Sequence, residues 1–75
     1  MAVILRPIGH LKAYAQGREE IALPAGMSIR ETLKAGGIPP ELVALVVVND
    51  VHQTDKDIIL EEGDVVRLMA VIGGG

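Results

Sequence analysis

Cysteine, phenylalanine and tryptophan are absent from the 75 residues, and Tyr14 is the only aromatic side chain. Without cysteine there is no disulfide framework, no thiolate zinc site, no iron–sulfur cluster and no thiol nucleophile. That composition fits a reducing compartment. With a single aromatic there is no stacking platform for bases, and the net charge of −3 comes with no basic run. Both features speak against a nucleic-acid partner. The longest apolar run, residues 42–48, falls far short of the roughly 18–20 residues that span a bilayer. The start of the chain lacks a basic segment followed by a long apolar stretch, so no membrane partner and a cytoplasmic location are expected. His10 and His52 are far apart and in no ligand spacing, so both are expected as solvated loop residues and no metal site is expected. Asp50, Asp55 and Asp57 suggest a calcium loop at a glance but miss its register.

What is present is aliphatic. Hydrophobic residues make up 49% of the chain, so the core is built from Val, Ile, Leu, Met and Ala. A chain this short is one domain and buries only about 60% of its unfolded surface, which predicts modest stability. Residues 2–8 read as a strand, with pairing expected to weaken at Pro7. Residues 9–18 read as a long connection in which residues 11–15 form one helical turn. Residues 19–23 alternate like a half-buried strand, ended by Pro24 and Gly26. Ser28 and Glu31 have capping-box spacing and open a helix over 29–35, stopped by Gly36-Gly37 and Pro39-Pro40. Ser28 therefore reads as a cap rather than a nucleophile. Residues 42–48 read as a buried strand, Asn49-Asp50 as a tight turn and residues 51–53 as a returning strand. Residues 58–60 are expected to tuck under the sheet. Residues 65–72 form the last strand, with Val66, Leu68, Ala70 and Ile72 inward and Val65, Arg67, Met69 and Val71 on the other side.

The order β-β-α-β-β-β predicts an α+β domain with one main helix packed on one face of a mixed sheet. The first and last strands are expected side by side at its centre, the β-grasp arrangement also found in ubiquitin. Residues 1–72 form this domain, and residues 73–75 are expected as a flexible glycine tail.

The tail carries the chemistry. At about 7% glycine in average usage, three consecutive terminal glycines arise by chance roughly 3 times in 10,000, so Gly73-Gly74-Gly75 calls for a reason. A tail without side chains threads a narrow channel and adopts backbone angles closed to other residues. Its one reactive group is the α-carboxylate of Gly75. Adenylation by ATP turns a carboxylate oxygen into a leaving group, and a sulfur donor attacking the acyl carbon then yields a C-terminal thiocarboxylate. No acid–base pair or nucleophile constellation stands elsewhere in the chain, which fits a carrier rather than an enzyme.

The chain resembles the ubiquitin-like sulfur carriers, the MoaD/ThiS family, which includes the small subunit of molybdopterin synthase and the thiamine-pathway sulfur carrier. The resemblance lies in Leu23-Pro24-Ala25-Gly26 before the capped helix, Gly37-Ile38-Pro39-Pro40 after it, Val48-Asn49, Gly63-Asp64 and the glycine tail. It implies a β-grasp fold and a non-catalytic carrier that binds no cofactor itself. It also implies two partners. One is an adenylating enzyme related to ubiquitin activators, which uses ATP on Gly75. The other is a sulfur-accepting synthase large subunit. The outward face Val65, Met69 and Val71 is the expected docking patch, with Arg67 pairing a carboxylate at its rim. Free of its partners, the protein is expected to be a monomer. Features of two branches are mixed. Val71-Ile72 before the glycines and the absence of a Phe-Pro-Pro-like stretch at residues 69–71 are closer to the thiamine carriers. The long 9–18 connection is closer to the molybdopterin (or tungstopterin) branch, and Pro7-Ile8 replaces a Leu-Phe pair common in the family. Three other readings stand beside this one. They are a modifier conjugated to lysines through Gly75, a TGS-like β-grasp binding module, and a plain interaction subunit with an inert tail.

Overall fold

A computed structural model describes residues 2–70. The strands are β1 (Ala2–Ile8), β2 (Ile21–Pro24), β3 (Val43–Val48), β4 (Val51–Gln53) and β5 (Val65–Ala70), with one α-helix, α1 (Ile29–Ala35). Two 3₁₀ segments, Gly9–Ala15 and Pro40–Leu42, serve as connectors. The sheet order is β2-β1-β5-β3-β4. β1 and β5 run parallel at the centre and the other pairs are antiparallel. This is the expected β-grasp.

Alternation in the central strands sends Val3 and Leu5 of β1 and Val66 and Leu68 of β5 to one face, where Ile29 and Leu33 of α1 cover them together with Leu11, Ile38, Val46 and Leu60. All are aliphatic, as the composition dictates. A register shift between Val43 and Leu45 inserts Ala44 as an extra residue, which puts both Val43 and Val46 on the core side. Pro7 is buried without disrupting the sheet centre. The N–H of Ile4 donates toward β5, to the carbonyl of Asp64 at 2.9 Å, so the odd residues of β1 face β2. Pairing with β2 ends at Leu5, while pairing with β5 runs on to Ile8. The missing N–H of Pro7 thus falls where no strand needs it, and the weakening expected there is confined to the β2 side.

α1 is short, and its ends are fully provided for. Ser28 Oγ accepts from the Glu31 N–H, and Glu31 Oε1 accepts from the Ser28 N–H, both at 3.1 Å. The next two orphan donors, the N–H groups of Ile29 and Arg30, reach the carbonyls of Ile58 and Lys56 at 2.9 Å each. At the other end the Ile38 N–H bonds the Leu33 carbonyl and the Gly37 N–H bonds the Lys34 carbonyl. This is a Schellman stop with Gly37 at φ +80°. Gly36, at φ −82°, is not the left-handed residue.

Residues 58–60 do not tuck under the sheet as a block. They strap the start of α1, and of the three only Leu60 is buried; Ile58 and Ile59 are exposed. The segment bonds Met27 and Ser28 in strand-like fashion, and alternation turns Ile59 away from the side on which Leu60 is buried, while Ile58 stays 37% exposed. His52 lies on the expected returning strand, β4, and is exposed. Among the described residues no helix is long and apolar enough to cross a membrane.

Candidate docking face and origin of the tail

The sheet face opposite α1 carries no covering element among the described residues. Register fixes what lies on it. Ala22, Ile4 and Val65 form one row. Arg6, Arg67, Val47 and His52 form the next, and Ile8, Met69 and Leu45 the third. Ile4, Val65, Met69, Leu45 and Val47 are half-buried by one another and by the arginine stems, and Ile8 is exposed. Of the expected patch, Val65, Arg67 and Met69 therefore share one face. Val71 lies outside the described residues, as do Ile72 and the tail residues Gly73, Gly74 and Gly75. The expected boundary between residues 72 and 73 falls outside them too.

Arg67, expected at the rim of that patch, stands on the central strand β5 between Val65 and Met69 and opposite Arg6 in register. It also has a carboxylate of its own chain, Asp50, with Nη2 and Oδ1 3.6 Å apart. Arg6 Nε lies 3.1 Å from Glu20 Oε2. Beside the pair is an open depression of about 350 Å³ lined by Arg6, Pro7, Ile8, Lys12, Glu19 and Arg67.

Residues of β1 and β3 on this face escaped the sequence reading. The signal was available for β1: with Val3 and Leu5 inward, period 2 places Ile4, Arg6 and Ile8 together. For β3 the bulge at Ala44 breaks the alternation, and a run of consecutive apolar residues shows no period to follow.

β5 is held in register by a side-chain lock. Asn49 Oδ1 accepts from the Val65 N–H at 2.9 Å, and Asn49 Nδ2 donates to Asp64 Oδ1 at 2.8 Å. The other oxygen of Asp64 accepts from the Glu61 N–H at 2.8 Å. The start of the last strand is thus tied to the β3–β4 turn. At its far end Met69 lies between Ile8 and Leu45, and Ala70 lies beside Val43. The final five residues of the chain follow from this point.

The described hydroxyls that could be suspected of chemistry are occupied. Ser28 Oγ caps α1, and Thr32 Oγ1 donates to the Ser28 carbonyl at 2.7 Å. Glu31 is held below the usual carboxylate value of 4.5, first by the backbone N–H and then by the hydroxyl of Ser28; its role is structural. No group of three or more His, Asp or Glu among the described residues is placed to hold a metal ion.

Among the described residues the chain is a β-grasp with one α-helix and an uncovered sheet face, the architecture of a ubiquitin-like protein. The model of the ThiS family matches residues 8–75, and the chain belongs to that family of sulfur carriers, whose small proteins are not themselves catalysts. Among solved structures, a chain of the protein–protein complex of subunits 1 and 2 of molybdopterin-converting factor from Helicobacter pylori 26695 is 25% identical. It superposes with a TM-score of 0.64 over 100% of both chains. The solution structure of Urm1 from Trypanosoma brucei shares the fold at 14% identity and a TM-score of 0.65, covering 99% of this chain and 95% of that one. No curated protein matches.

Proposed function

We propose that this protein carries sulfur as a C-terminal thiocarboxylate on Gly75 for the synthesis of molybdopterin or tungstopterin. The Gly75 carboxylate attacks the α-phosphorus of ATP in an adenylating enzyme of the ubiquitin-activator type, releasing pyrophosphate. A sulfide-equivalent donor then attacks the acyl carbon and AMP leaves. The acyl–sulfur product donates its sulfur inside a synthase large subunit and the carboxylate returns. The carrier supplies the terminus, the glycines that thread it and the docking face formed by Val65, Arg67, Met69 and Val71. ATP is bound by the partner. The observation that carries this reading is the triglycine terminus on a chain of the ThiS family. The molybdopterin assignment draws on the full-length likeness to a chain of the Helicobacter pylori complex and on the long 9–18 connection. Residues 1–72 act as the folded unit and 73–75 as the tail, in a cytoplasmic monomer that pairs with each partner in turn.

A second reading is favoured by a specific observation. The matching family model is that of ThiS, so the acceptor can equally be a thiazole synthase. Exchange of labelled pyrophosphate into ATP by the adenylating enzyme tests the first step. It is expected with the intact chain and lost on deleting Gly74-Gly75. Exchange that persists without these residues contradicts the proposal. Sulfur transfer to a molybdopterin precursor, against transfer to a thiazole synthase, decides the acceptor.

A further inference from the structure

We propose that the open sheet face selects a partner protein that presents two carboxylates to Arg6 and Arg67, and that Glu20 and Asp50 are internal place-holders for those carboxylates. The inference rests on the docking role proposed above and adds the chemistry of what docks. Arg6 and Arg67 are register partners on adjacent parallel strands, so their backbones are only about 4.8 Å apart. Like charges side by side on a sheet repel, and stability alone favours an opposite-charge or apolar pair there. The chain as a whole is acidic, yet its central docking row begins with two cations set among aliphatic side chains.

Each guanidinium is held by a single acid. Glu20 precedes β2 on one side of the central strands, and Asp50 lies in the β3–β4 turn on the other. Both arginines and both acids are about half exposed or more. Exposed pairs of this kind contribute little, so they yield to a carboxylate that is desolvated in an apolar interface and bonded by two N–H groups. The same acids flank the arginines on both sides and disfavour a long polyanion laid across the row. With no aromatic platform on this face, a protein partner is favoured over a nucleic acid.

The test uses the intact carrier and the adenylating enzyme of the ubiquitin-activator type from the same cell, with KM and kcat for the carrier measured over a range of salt. Arg6→Glu with Arg67→Glu is expected to raise KM about tenfold or more with kcat held within about twofold, and to reverse the salt dependence. The size-conserving pair Arg6→Gln and Arg67→Gln, checked by its melting temperature, separates lost recognition from lost folding. Glu20→Gln with Asp50→Asn is expected to lower KM by roughly two- to fivefold, because the competing acids are gone. A merely structural role for these pairs moves KM the other way or not at all. An unchanged KM in the folded arginine variants, with the wild type activated, overturns the inference and leaves the carrier reading intact. Failure to activate the wild type overturns both. Binding of a labelled single-stranded RNA at near-physiological salt that the glutamate pair abolishes, with KM unmoved, assigns the arginines to nucleic acid and also overturns it.

Discussion

Asn49 ties the start of the last described strand to the β3–β4 turn. It stands in the left-handed region at φ 49°, followed by Asp50 at φ 68°, the backbone of a tight two-residue hairpin turn. Its amide then makes two hydrogen bonds across to Asp64 and Val65. Each is worth about 1 kcal/mol, and an alanine at positive φ adds about another. Asn49→Ala is therefore expected to cost about 2–3 kcal/mol, and thermal melting should show a drop of roughly 10 °C or more in a domain of this size. Asn49→Asp keeps the acceptor but loses the donor and sets a carboxylate against Asp64, so it too should lower the melting temperature at neutral pH. A melting temperature unmoved by either change removes the lock. The turn was legible in the sequence, since Asn and Asp tolerate positive φ. The lock was not, because Asn49 and Asp64 stand fifteen residues apart and nothing local links them. Arg67 was legible in its outward direction and its central strand, but its pairing with Arg6 was not, because register between strands distant in sequence leaves no local signal.

At the scale of elements, α1 shows how much a local motif can specify. Ser28 and Glu31 stand in a spacing that reads directly as a cap, and both reciprocal hydrogen bonds are present. Ser28→Ala should cost about 1 kcal/mol. The pH dependence follows from the same contacts. Glu31 has its folded value lowered by the Ser28 N–H and hydroxyl. A depressed carboxylate contributes stability that is present above its unfolded value and lost as pH falls through the folded one. Melting scans between pH 7 and pH 3 should thus show wild type and Glu31→Gln drawing together below about pH 4.5. Parallel curves across the whole range contradict that linkage. The strap over residues 56–60 was not legible. Its role is to offer backbone carbonyls to the first turn of α1, a task that selects no side chain. The apolar Ile58-Ile59-Leu60 run therefore reads as core although two of its members face solvent.

On the scale of the whole molecule, the fold brings an apolar field, two arginines and the root of the tail onto one sheet. The terminal glycines and the β-grasp were both readable, the first as composition and the second as element order. The breadth of the face was not, because it assembles side chains from β1, β3 and β5 that are distant in sequence. Met69 lies in this field between Ile8 and Leu45. Met69→Glu should raise the KM for activation severalfold while costing about 1 kcal/mol or less in stability, its side chain being only half-buried. Unchanged activation kinetics in that variant remove the face from partner docking.

The central claim is that Gly75 becomes a thiocarboxylate, and intact mass reports it most directly. The protein is incubated with ATP, a sulfide source and an adenylating enzyme of the ubiquitin-activator type from the same cell, then weighed. A gain equal to one oxygen exchanged for one sulfur, absent when Gly75 is deleted, is the predicted result. An unchanged mass with an enzyme shown to be active on another carrier contradicts it.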